Sequence, residues 1–278
     1  MHDCFPLLPH STYIATTNIT RMSDTAIMAG VLCVWVTDML APAEQWYEDE
    51  YIPAMMSRYS KRVLLGDYIG TPLDEELNGV ATRDADWKSF AVYEVEDVQV
   101  AMDATYDASN QPLTADHPMQ GSRWDVRPYE EIKRWQNDAE WDGGGSQRGT
   151  SQQADTDEQT DGADVASILF WEWQPREGCE KKVVESFEHE LGPMFAQAPE
   201  ILRLRWFKIR KAATLNDNSY DTLKTEEQHT YMVFVELDCE DWPWEQLFAL
   251  NSMSCWTDNY EGQKTVVSCS ISEFAVKH

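Results

Sequence analysis

The chain has 278 residues, 42% of them hydrophobic and 12% aromatic with 12 Trp, a composition that buries a large core and excludes a disordered chain. Its 49 acidic against 22 basic side chains give a net charge of -27, which repels phosphate backbones and anionic lipid, so neither nucleic acid nor a membrane is an expected partner. The six cysteines form no C-x-x-C pair, and the chain opens without a basic segment followed by an apolar run. No zinc site, disulfide framework or secretory leader is therefore expected, and the expected location is cytoplasmic.

Residues 1–26 hold Pro6, Pro9 and a polar mixture without a sustained period, and are expected to form a flexible arm in which Met22 is an alternative start. A first unit spans 27–136. Gly30 to Val36 is short, apolar and rich in β-branched residues, as a buried strand should be. A helix follows with Pro42 at its start and an apolar stripe of Tyr47, Tyr51, Met55 and Tyr59, and Pro53 must kink or end it. Strands are predicted at Arg62 to Ile69, Ser89 to Val95 and Trp124 to Arg127, with a helix capped by Asp97 between the last two.

Residues 137–164, with Gly143-Gly144-Gly145, Ser, Gln and Asp and no large aliphatic side chain, predict a disordered linker. The second unit, 165–278, repeats the order: a strand from Ala166 to Trp173, a helix from about Gly178, strands at Ile201 to Arg210 and Thr230 to Leu237, a helix capped by Asp241, and a strand from Lys264 to Ala275. The repetition is visible in the residues themselves, because Tyr47-Glu48-Asp49-Glu50-Tyr51-Ile52-Pro53 returns as Phe187-Glu188-His189-Glu190-Leu191-Gly192-Pro193. The expected fold is α+β: two tandem ferredoxin-like β-α-β-β-α-β units whose antiparallel sheets pack face to face.

The helix motif resembles that of the dimeric α/β-barrel superfamily, and within it the EthD-like proteins of fungal secondary-metabolite clusters. It stands here as Trp46, Tyr47, Glu50, Tyr51, Pro53 and again as Phe187, Glu190, Leu191, Pro193. The resemblance implies an intramolecular barrel, a monomer or weak homodimer, and an oily cavity for a small molecule. Tyr51 and Leu191 occupy the place of the family's histidine, so neither a haem nor a metal is expected, and the expected cofactor is none.

Strand alternation nominates residues for that cavity. Arg205 is a candidate for holding a carboxylate or enolate, and Glu172, His117 and Tyr51 are candidates for proton transfer. Trp35, Tyr68, Glu94, Trp173, Trp206 and Glu236 are candidates for substrate binding. The plainer reading of Arg205 is a strand-end arginine that reaches solvent or pairs with a carboxylate, and that of the glutamates is pairing with an arginine or the end of the buried part of a strand; the return of Glu94 as Glu236 favours a structural role. No nucleophile elbow, P-loop or dinucleotide turn occurs. The expected function is a cofactor-independent lyase, isomerase or cyclase acting on an aromatic or polyketide-like molecule. The alternatives are a non-catalytic binding or scaffolding module and a cofactor-free monooxygenase.

Overall fold

The computed structural model describes residues 27–37, 39–69, 88–106, 118–119, 121–136, 165–216, 219–222, 229–239, 241–258 and 264–277. The expected arm, the expected linker and His117 lie outside the described residues. The first unit runs β1 (Gly30–Thr37), α1 (Ala41–Trp46), a π-helical turn (Tyr47–Tyr51), α2 (Ile52–Arg58), β2 (Ser60–Tyr68), β3 (Ser89–Val95), α3 (Val98–Tyr106) and β4 (Arg123–Gln136). The second runs β5 (Ser167–Pro175), α4 (Glu180–Ser186), a π-helical turn (Phe187–Leu191), α5 (Gly192–Phe195), β6 (Ile201–Ile209), β7 (Ala213–Asn216), β8 (Ser219–Thr222), β9 (Tyr231–Leu237), α6 (Trp244–Leu250), α7 (Ser254–Trp256) and β10 (Val266–Val276).

Both units thus have the expected order, with a β7–β8 hairpin and α7 added. The expectation of two sheets packed face to face as a barrel is corrected. The strands form one ten-stranded antiparallel sheet in the order β1-β3-β2-β10-β5-β9-β6-β4-β7-β8, with β1 also paired to β4. The units are joined edge to edge by backbone hydrogen bonds, β2 to β10 and β4 to β6. The reason lies in β4, which runs on to Gln136 rather than ending near Arg127, so its second half forms a ladder with β6.

The helix stripes behave as read. Tyr47 and Met55 are buried with Leu32, Val34, Tyr93 and Trp124 beneath the first-unit helices, and Phe187 and Leu191 with Trp173, Trp206 and Val233 beneath those of the second. A third cluster on the other face of the sheet draws on strands of both units, among them Trp35, Phe90, Phe170, Phe207, Phe234 and Phe274, each at most 3% exposed. Asp97 caps α3, its Oδ1 accepting from the Gln99 and Val100 amides at 2.9 and 3.4 Å. Asp241 does not cap α6, which begins after Pro243 with no side-chain cap.

Pro53 does not end the helix, which continues to Arg58, but the α-helical hydrogen bonding is interrupted ahead of it. A proline has no N–H to give, and its ring clashes with the carbonyl four residues back. The chain widens by one residue ahead of it, the Ile52 amide donating to the Tyr47 carbonyl five residues earlier, and α2 then resumes. Pro193 has the same solution, Gly192 donating to Phe187. A π turn often marks a functional site, but its recurrence ahead of both prolines gives this one a backbone cause.

Gly30 shows how closely β1 is seated, since a Cβ there would lie 2.0 Å from the Tyr129 carbonyl oxygen and 2.4 Å from Val98. Gly121 has φ 87° with nothing within 4 Å of its Cβ position. We predict that Gly30→Ala lowers stability by about 3 kcal/mol through overpacking against backbone, and Gly121→Ala by about 1 kcal/mol through backbone strain alone. Urea denaturation measures both, and equal losses would refute the packing argument.

Candidate functional site

The polar residues nominated from the sequence fall into two buried ion clusters. Across the β2–β3 ladder Arg62 lies opposite Glu94, and across β6–β9 Arg203 lies opposite Glu236. Each arginine then reaches the other unit. Arg62 Nη1 donates to Glu94 Oε1 and Glu236 Oε2, both at 3.2 Å. Arg203 donates through Nε to Glu236 Oε1 at 2.8 Å and through Nη2 to Glu94 Oε1 at 2.5 Å. Arg205 adds a third guanidinium, its Nη2 lying 3.1 Å from Glu94 and 3.4 Å from Glu236 but out of hydrogen-bond alignment, above the rings of Phe207 and Phe234.

Burial pushes the Glu94 carboxyl up, yet Arg205, Arg203 and Arg62 outweigh it and hold the group at about 2. Burial, reinforced by Arg203, pushes Arg205 below the ordinary guanidinium range, partly offset by the carboxylates. A carboxylate held ionised by three cations is no proton donor near neutrality. The geometry of Glu94, Glu236 and Arg205 is that of a tie between units.

The second cluster joins β4 to β5. Arg127 grips Asp125 through Nε at 3.0 Å and Nη2 at 2.8 Å, and its Nη1 donates to Glu172 Oε1 at 3.2 Å. The Tyr129 hydroxyl donates to the same Glu172 oxygen at 3.1 Å, and the guanidinium lies 5.6 Å from the Trp35 ring centroid. Glu172 is only 1% exposed and serves there as an acceptor for two donors.

The remaining nominees scatter. Trp173 and Trp206 are corrected: they point to the helix face of the sheet and pack in the second-unit core, because their strand positions share the parity of Leu204 and Trp171. Tyr68 is 41% exposed at the end of β2, edge-on to Phe274. Tyr51 is half-buried, stacked on Tyr47 and edge-on to Trp124. Sequence reasoning passed over Arg62, Asp125 and Arg127. The signal for Arg62 was present, since it holds the same place relative to Glu94 that Arg203 holds relative to Glu236.

An opening to solvent lies in the first unit, between its helices and β1, β2 and β3. This shallow cleft is lined by Val36, Met39, Ile52, Leu65 and Phe90, together with Tyr47. Glu44, Glu48, Ser89 and Lys277 supply its polar atoms. Lys277 comes from the far end of the chain, anchored by its amide to the Leu65 carbonyl at 2.8 Å, with Nζ 3.1 Å from Asp67 and 3.8 Å from Glu48. The Tyr47 and Tyr93 hydroxyls meet at 3.2 Å, and burial pushes both phenols above their ordinary 10, leaving them neutral. Among the described residues no group of three or more His, Cys, Asp or Glu is placed to hold a metal ion. No described helix is long and apolar enough to cross a membrane.

No family model matches the chain, and no curated protein matches it. Solved structures do. An anthrone oxidase-like protein is 10% identical, with 91% of this chain and 93% of that chain covered and a TM-score of 0.46. A candidate monooxygenase from Fusobacterium nucleatum is 10% identical over 90% and 93%, with a TM-score of 0.44. Another, from Lactobacillus acidophilus, is 11% identical over 90% and 94%, with a TM-score of 0.41. The EthD-like resemblance, and the fungal, lyase and cyclase expectations that rested on it, are corrected: no family model matches the chain, and its strands form one sheet rather than the two facing sheets of a barrel. The motif misled because aromatic-x-x-Glu-x-x-Pro spells a π turn ahead of a proline, which is a backbone device before it is a family signature.

The Glu94 carboxyl is held at about 2 against an ordinary 4.5, so its charged form stabilises the fold fully above pH 4.5, and that contribution is lost as pH falls toward 2. The difference corresponds to about 3 kcal/mol. We predict that Glu94→Gln lowers the unfolding free energy by about that much above pH 5 and flattens the decline below it, as urea titrations at stepped pH would measure. A variant that keeps the wild-type acid profile would refute the assignment.

Proposed function

We propose that the protein is an enzyme acting on a small, neutral aromatic molecule in the first-unit cleft, by cofactor-independent oxygenation. What carries this reading is the cleft itself, with apolar walls over a tyrosine ring, and carboxylates and a lysine at the mouth. Apolar walls with a few convergent polar groups are the usual make-up of a small-molecule site. Glu44, Glu48 and Asp67 around the single Lys277 make the mouth net negative, which disfavours an anionic guest and suits a neutral one.

The chemistry follows from those groups. Glu44 or Glu48 takes a proton from an acidic C–H of the substrate, and the negative charge collects on the substrate's oxygen, facing the Lys277 ammonium. The resulting enolate passes an electron to molecular oxygen and the pair recombines into a C–O bond; the carboxyl group returns its proton to the peroxide, and loss of water across the remaining C–H leaves a carbonyl, with O2 as the oxidant. The roles sought from Glu172, Arg205, Glu94 and Glu236 are replaced here, since their atoms are committed to the buried clusters.

Anthrone, neutral with an acidic C–H between two rings, is a suitable first substrate. We expect oxygen uptake stoichiometric with its conversion, and a roughly 100-fold loss of kcat/KM in Lys277→Ala. Anthrone bound but recovered unchanged would support a binding module instead, and neither binding nor uptake would overturn the assignment of the cleft.

A further inference from the structure

Helix α6 presents two of its largest side chains to solvent. Its inner side is accounted for, since Leu250 is buried and Leu247 packs against the second-unit core. Trp244 and Phe248, four residues apart and so neighbours on one face, are 38% and 69% exposed. They are nevertheless held in place. Trp242, only 4% exposed, donates from Nε1 to Glu273 Oε2 at 2.7 Å, and its ring lies 6.2 Å from that of Trp244 at 27°. The Trp244 ring in turn lies 6.1 Å from Phe248 at 30°. A file of three rings thus runs from the core out to solvent, each steadied by the one beneath it.

The first unit shows that the position itself does not call for rings. Helix α3 follows β3 as α6 follows β9, and its outer face joins Gln99 Nε2 to Asp103 Oδ1 at 2.8 Å, a polar pair at the same four-residue spacing. Adjacent exposed rings forgo the gain of burial and form a contiguous apolar surface, which marks an interaction site more often than scattered single residues do. Rings already ordered by stacking lose little freedom when a partner covers them.

The charge around the rings states what kind of partner fits. From Asp238 to Gln263 the chain has six acidic residues and no Lys, Arg or His. Asp238, Asp241 and Glu245 are exposed, and no ion pair neutralises them among the described residues. Glu245, three residues before Phe248, shares its side of the helix. An anionic lipid surface, or a second copy of this chain with its net charge of -27, meets repulsion there. A guanidinium suits both features, because its plane lies on an aromatic face while its N–H groups donate to a carboxylate.

We propose that the outer face of α6 is a docking surface for a basic segment of another protein, in which arginines are interspersed with apolar side chains. Arginine stacks on Trp244 and Phe248, Glu245 accepts from it, and the apolar neighbours cover the remaining ring surface. The surface belongs to the second unit and is independent of the first-unit cleft.

The test is a fluorescence-anisotropy titration of the full chain, at physiological salt, with a short labelled peptide of alternating arginine and leucine. A matched peptide with citrulline in place of arginine keeps the shape and removes the charge. The arginine peptide is expected to bind at least about tenfold more tightly than the citrulline peptide. Trp244→Ser and Phe248→Ser are each expected to weaken it by at least about tenfold. Phe248 is the more exposed of the two, so its variant serves if Trp244→Ser disturbs the fold. Arginine-peptide binding that survives the ring substitutions would be attraction by net charge alone and would overturn the proposal. Equal binding of both peptides, or binding of neither, would overturn it as well. A dimer in light scattering that Phe248→Ser dissolves would make a second copy the occupant instead, and attachment to phosphatidylcholine vesicles that the same variant abolishes would make it a membrane.

Discussion

The crossed ion pairs Arg62–Glu236 and Arg203–Glu94 are the constraint on which the rest of the architecture depends. Either arginine could have been satisfied within its own unit, because Glu94 and Glu236 stand directly opposite on the neighbouring strands. Instead each guanidinium bridges both carboxylates. Buried ion pairs gain little stability over well-packed apolar residues, but removing one member leaves a charge stranded in low dielectric. The network therefore specifies one relative placement of the units, and the edge ladders β2–β10 and β4–β6 form in register around it.

Much of the element order was legible because local chemistry and final position agree. β1 is paired on both sides and buried at every residue, which is why it reads as a continuous apolar run rather than an alternating one. The repeated helix motif gave away the duplication. The end of β4 was less visible, since Glu130-Glu131-Ile132-Lys133-Arg134 looks like solvated chain when its pairing with β6 is unknown. β7 and β8 are four residues each, below the length at which alternation speaks clearly.

The candidate site was legible only in its residue types. Alternation shows which side chains share a face, but not which face meets helices, so Trp173 and Trp206 could be placed in a cavity or in a core with equal consistency. Charge was the stronger clue. A protein this acidic that hides Arg203 and Arg205 in an apolar strand has to bring carboxylates to them, and Glu94, Glu236 and Glu131 are those carboxylates. The cleft escaped notice because its lining comes from several separate segments, with Val36, Tyr47, Leu65 and Ser89 meeting Lys277 from the far end of the chain.

The joining of both units in one polypeptide has a consequence for how such a molecule can evolve. In a pair of identical subunits any substitution is made twice, so a tryptophan added to one core is added to its twin. Covalent fusion lifts that symmetry requirement. One copy could stack Trp173 on Trp206 beneath its helices while its sibling packed Tyr51 and Trp124 against Tyr47. Lys277 shows that the two copies still lean on each other, because the end of the second unit places its cation 3.1 Å from Asp67 of the first.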